Sequence, residues 1–303
     1  MKAKSRRRLL ISSVAMLLVA MLALGTATFA WFTNSTTAYA KNAKVTVASP
    51  SGLVLKAVVH GATAPAANST GWSSSFDMTS IAQKTAQPVS GNMAAADEPT
   101  FFAATVNTEK EVSDITSVAV DTEAHVNASN VVAVDIYGKL SETKTGIAGV
   151  KVNLASIANQ ATATVPGDVT RVAFYTTTTT GQTTTWSRKA IAHIGSDTNA
   201  RAYNPLKAAG TNLTNVNADD NYVVPASNTT YVEATAISCP KNFATSTEVA
   251  TVSNDSTQVT KLGTFYMWVE GQDAKCNDAN KATVLGDTDN VQITFELGDD
   301  VNS

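Results

Sequence analysis

His60, His125 and His193 are all the imidazoles in this chain, and their spacing restricts the chemistry they could share. None lies in an H-E-x-x-H pattern, and none has a second histidine three to five residues away. Zinc hydrolysis needs two or three nitrogen ligands and a carboxylate base. The sequence also carries no G-x-S-x-G elbow, P-loop or dinucleotide fingerprint. Scattered histidines on a polar chain serve as surface or satisfied polar groups. The expectation is therefore a protein that is not an enzyme, with no catalytic residues and no resident metal.

Acidic clusters offer a weaker chemistry. "NADDN" at 217–221, "DTDN" at 287–290 and "GDD" at 298–300 supply hard oxygens of the kind Ca²⁺ takes. None has the spaced ligand loop of an EF-hand, and Asp and Asn are also ordinary turn residues. Glu270, Asp273 and Asp278 beside Cys276 could take a binding role, while Glu270-Gly271 reads first as the exit turn of a core strand. The two cysteines, Cys239 and Cys276, have no zinc-type neighbours. In an oxidising compartment they could close a loop of 38 residues, stabilising by roughly 3–4 kcal/mol on a chain-entropy argument. Two unpaired small hydrophobes are the alternative.

The N-terminus states an address. "MKAKSRRR" is basic without an acid, an apolar run follows from Leu9 to about Leu24, and small residues follow that. This is the build of a secretory signal peptide, residues 1–30, with Thr28 and Ala30 before the cut and Trp31 after it. A retained membrane anchor is the competing reading, since about 20 apolar residues would span a bilayer. Removing Lys2, Lys4, Arg6, Arg7 and Arg8 takes the formal net charge from −3 to −8. An acidic exported body disfavours nucleic acid and anionic lipid surfaces, which demand basic patches. Membrane contact is then confined to the N-terminal segment before cleavage.

The elements that would position any site are β-strands. "NVQITFEL" sets Val291, Ile293, Phe295 and Leu297 against Gln292, Thr294 and Glu296. Val45 and Val47 of "KVTV", Leu53, Leu55 and Ala57 of "GLVLKAVV", and Val150, Val152 and Leu154 of "VKVNL" alternate in the same way. "VVAVDIYGKL" (131–140) and "KLGTFYMWVEG" (261–271) are apolar on both faces, as central strands are. Alternation in the latter places Leu262, Tyr266 and Trp268 on one face and Phe265, Met267 and Val269 on the other. Residues 171–192 read as a hairpin about Gly181, its threonines lying on strand faces and in the turn. "FDMTSIAQKTA" (76–86) is the one helical candidate. Stretches near 61–100 and 195–229, rich in Ala, Asn, Ser, Thr and Asp, read as long insertions. The whole is a single all-β domain over 31–303, an antiparallel sandwich or barrel.

"GTATFAWFTNS" at the signal exit, "VVAVDIYGKL" in the middle and "FYMWVEGQDAKC" before the last strand together resemble the TasA/camelysin group of biofilm-matrix fibre proteins of Gram-positive bacteria. The likeness covers mainly residues 22–60, 129–157 and 262–297. It implies a jelly-roll sandwich whose subunits polymerise outside the cell by lending an N-terminal strand to the next subunit. The implied partners are a signal peptidase and further copies of the same chain. The implied donor strand carries Trp31, Phe32, Val45 and Val47; aromatics of this size bury on the order of 150–250 Å² each. Seating Trp31 and Phe32 at the membrane interface before cleavage is the competing account. The protease activity ascribed to camelysin has no zinc motif here to carry it. The other class of function is a cell-surface adhesin, monomeric or held by the N-terminal helix.

Overall fold

The computed structural model describes residues 44–50, 52–77, 89–106, 112–118, 131–159, 169–195, 200–204, 235–271 and 290–302. These form fifteen β-strands. Sheet I has the order β13 (Thr247–Ser253), β8 (Gly149–Asn159), β15 (Asn290–Val301), β1 (Lys44–Ala48) and β3 (Ser75–Asp77). Sheet II runs β10 (Thr183–His193), β9 (Thr170–Thr180), β14 (Thr260–Val269), β7 (Val131–Leu140) and β2 (Leu53–Val59). Two small sheets complete the set: β4 (Ser90–Asn92), β5 (Thr100–Val106) and β6 (Val112–Val118), and the pair β11 (Arg201–Asn204) and β12 (Thr235–Ser238).

Sheets I and II face each other across one apolar core. Sheet I contributes Val45, Val47, Val152, Leu154, Ile293 and Phe295, among others; sheet II contributes Leu53, Leu55, Val134, Ile136, Phe174 and Phe265. Phe174 and Phe295 meet edge to face at 5.8 Å, joining the two sheets through their rings. The alternation read from the sequence is what makes this possible: every second side chain of β1, β2 and β15 points inward, as do Val150, Val152 and Leu154 of β8, where an extra residue before Ser156 then moves the inward position to Ile157. All ladders between named strands are antiparallel except that of β1 with β15, which is parallel.

Sheet II is buried on its other face as well. Val131, Ala133, Ala173, Tyr175, Tyr266 and Trp268 pack there against Val89, Met93, Phe101, Ala200, Ala202 and Cys239. The small sheets thus add a third layer, and this is why β7 and β14 are apolar on both faces. The region near 61–100, expected to be insertion without alternation, supplies β3, β4 and the start of β5.

One face assignment is corrected. Leu262 packs with Phe265 and Met267 in the inter-sheet core, not with Tyr266 and Trp268. A register shift between Lys261 and Gly263 inserts an extra residue into β14, and a bulge of this kind turns every preceding side chain to the opposite face. Gly263 makes the bend with φ +157°, and a Cβ there would lie 2.4 Å from the Tyr175 carbonyl oxygen. The 171–192 hairpin forms as β9 and β10, with Gly181 at φ +64° in its turn. Of the helical candidate 76–86, Phe76 and Asp77 belong to β3 and the remainder lies outside the described residues.

Candidate functional site

Two places combine unusual structure with the capacity to do something: the N-terminal strand β1, and a buried polar cluster on the outer face of sheet II.

β1 is five residues long and enters the core through Val45 and Val47, both fully buried. It lies between β15 and the three-residue β3, which covers only Thr46–Ala48. Val45 and Val47 therefore occupy a slot in this chain's own sandwich. Thr28, Ala30, Trp31 and Phe32 lie outside the described residues. β1 is one thin strand from the sheet edge, and it is joined to β2 through Gly52 in the left-handed region at φ +99°.

The polar cluster is built on Asp135. In β7, residues 131, 133 and 135 share the outer face, so an Asp in this strand must be buried beside Val131 and Ala133. Its side chain is 3% exposed. Three donors converge on Oδ1: His60 Nδ1 at 2.8 Å, Lys261 Nζ at 2.8 Å and Thr264 Oγ1 at 2.7 Å. The Gly61 amide donates to Oδ2 at 3.3 Å. Desolvation pushes this carboxyl up, but the bonds from His60, Lys261 and Thr264 outweigh it and hold the pKa at about 2. Asp135 is an anion neutralised where it lies. The His60 ring stands 5.9 Å from Tyr266, whose phenol burial and the Asp135 charge push upward in pKa.

Further along the same face, Glu270 is fully buried. It accepts Ser90 Oγ at 2.5 Å and Trp268 Nε1 at 3.1 Å, and so fastens β4 to β14 at the strand's exit. Arg171, also fully buried, donates through Nε to the Arg201 carbonyl at 2.8 Å and ties β9 to β11. His193 Nδ1 bonds the Cys239 carbonyl at 2.7 Å. These groups stitch the third layer to sheet II.

Cys239 is a buried free thiol whose pKa burial pushes up to about 12; Cys276 lies outside the described residues. Asp273, Asp278 and the 217–221 cluster also lie outside them, as does all of 287–290 except Asn290 at the start of β15. Asp299 and Asp300 sit on β15, with Asp300 Oδ1 3.4 Å from Lys144 Nζ. Among the described residues no group of three or more His, Cys, Asp or Glu side chains is placed to hold a metal ion, and no helix is long and apolar enough to cross a membrane.

Sequence reasoning missed the Asp135 cluster. Its one signal was an acid in the middle of an otherwise apolar strand, which requires a partner. Which partners it has depends on strand order. Comparison of the chain with protein-family models, with curated proteins and with solved structures finds no match.

Proposed function

We infer that this chain is an exported structural protein, not an enzyme, that self-associates outside the cell into fibres by strand exchange at its N-terminus. The observation that carries the reading is the position of β1: short, N-terminal, parallel to β15, and shielded from the sheet edge by three residues. A strand in that position can be replaced by its equivalent from another copy, which would re-form the same parallel ladder with β15 and the short antiparallel ladder with β3. The backbone groups of β15 and the pocket that takes Val45 and Val47 would accept the same pattern from a neighbour. Residues 31–43, freed by cleavage after Ala30, would carry Trp31 and Phe32 into the contact.

A jelly roll is the finer fold reading. With β3 and β7 set aside, sheet I reads β1, β15, β8, β13 and sheet II reads β2, β14, β9, β10. Successive strands then alternate between sheets as in that architecture, with β9 and β10 as its one same-sheet hairpin. β1 departs from it by running parallel to β15.

The test is deletion of Trp31–Ala40 from the exported protein. Filaments seen by negative-stain microscopy should disappear while the circular dichroism and melting temperature of the body stay as before. Undiminished filament yield would sink the mechanism. N-terminal sequencing of the extracellular protein should begin at Trp31.

A further inference from the structure

The four edges of the sandwich are not equally protected. At β2, Leu55 exchanges backbone hydrogen bonds with Ser73, and Lys56 Nζ bonds the Ser69 hydroxyl and the Thr70 carbonyl. β3 is only three residues long. β13 carries a register shift at Glu248/Ala250 and a charged pair, Glu248 with Lys151. Short length, charge, bulges and covering segments are the devices that keep edges from pairing. β10 is covered in its lower half: the Arg188 amide donates to the Ala95 carbonyl, the Arg188 side chain bonds the Met93 carbonyl, and His193 bridges to Lys241.

Among the described residues, the upper half of β10 has none of these devices. No charged residue lies between Arg171 and Arg188, and no proline. Thr178–Thr180 and Thr183–Thr185 are exposed on paired strands, with Thr179 and Thr184 hydroxyls 3.2 Å apart. Past Tyr175, β10 is the only ladder partner of β9 among the described residues, and within them this part of the hairpin is a two-stranded ribbon. Ribbons of that kind are marginal alone and gain from a further strand.

The direction of the unused backbone groups follows from the register. Arg188 N–H points away from β9, toward Ala95. Pairing alternates along an antiparallel strand, so Trp186 and Thr184 point the same way, and Thr183, Thr185 and Ser187 bond β9. Thr184 and Trp186 thus present two N–H and two C=O groups at an uncharged edge.

We propose that this edge docks a second copy of the chain through the same strand, antiparallel and two-fold symmetric. The occupant is set by self-complementarity. With Arg188 already engaged, the one register that uses all four groups sets Thr184 against Trp186 of the second copy and places Thr185 opposite its equivalent at the axis. Threonine meets threonine there, a favourable cross-strand pair, and no like charges oppose. The contact adds to the self-association argued above but uses other residues, so the two stand or fall separately.

A contact this small lies in the weak range, so covalent trapping reads it best. Thr185 and its equivalent form a non-hydrogen-bonded pair, whose spacing suits a disulfide. Full-length Thr185→Cys protein under mild oxidation should give a covalent dimer absent from the parent chain. Thr178→Cys, at the ladder partner of Thr185 and equally exposed, should give none. Adding Thr184→Pro to Thr185→Cys removes only an outward N–H, which edge strands tolerate, and should abolish the dimer with an unchanged melting temperature. Dimer no higher than the parent's, or equal trapping by Thr178→Cys, overturns the proposal. So does retention of the protein on a polysaccharide column that Thr184→Pro abolishes while no dimer forms. Deleting Trp31–Ala40 should leave the Thr185→Cys dimer intact.

Discussion

Both faces of sheet II bury apolar side chains, by different rules. The inner face meets sheet I chiefly through aliphatic and aromatic side chains, with Phe174 against Phe295. The outer face packs Tyr175, Tyr266, Trp268 and Phe101 just as closely, with ring separations of 5.4 to 6.0 Å. Between those rings it also buries Asp135, Thr264, Arg171 and Glu270. An apolar interface tolerates a range of neighbours of about the right volume, whereas a buried charge accepts only the partner that neutralises it. The inner core therefore supplies bulk stability, and the outer layer dictates how the small sheets are seated.

Substitutions on each side should separate these roles. Phe295→Ala empties part of the inner core and should cost about 3–5 kcal/mol, read by chemical denaturation, with little change in pH dependence. Asp135→Ala leaves Lys261 and His60 without their shared acceptor. Lys261 can turn partly to water, so the cost should be smaller, about 2–3 kcal/mol.

The acid limb of stability should divide the two faces further. Asp135 titrates lower in the folded chain than in the unfolded one. Its contribution, about 2 kcal/mol, is complete above the ordinary carboxylate range and is lost as the pH falls from about 4 toward about 2. Asp135→Ala should flatten that limb, and Phe295→Ala should shift the whole curve down without changing its slope. An unchanged acid limb in Asp135→Ala would separate the cluster from acid sensitivity.

Gly263→Ala probes the bulge that gives each face its own residues. The added methyl would meet the Tyr175 carbonyl oxygen, and the expected loss is about 1–3 kcal/mol. The smallest effect concerns Cys239, which should stay unmodified by an alkylating reagent at mildly alkaline pH until the protein is unfolded. Rapid alkylation in the folded state would mean that the third layer opens.

The inner face was legible in the sequence and the outer face was not. Alternation in "KVTV", "GLVLKAVV", "VKVNL" and "NVQITFEL" named the inward residues, because a strand's side-chain period of two is local and survives any strand order. The same rule failed at Leu262, since one inserted residue reverses the face, and the glycine in "KLGTF" is its one local sign. Asp135 was visible as an acid in an apolar strand; its tie to His60, 75 positions away, was not.

Composition and local pattern settled the all-β class, the core strands and the β9–β10 hairpin. Tertiary structure alone decided that sheet II lies between two layers, that β1 runs parallel to β15, and that three donors meet on one carboxylate oxygen. The division has a physical cause. Hydrophobic periodicity is written in neighbouring residues, whereas strand order and charge neutralisation join residues far apart in the chain, through contacts that exist only once the sheets have formed.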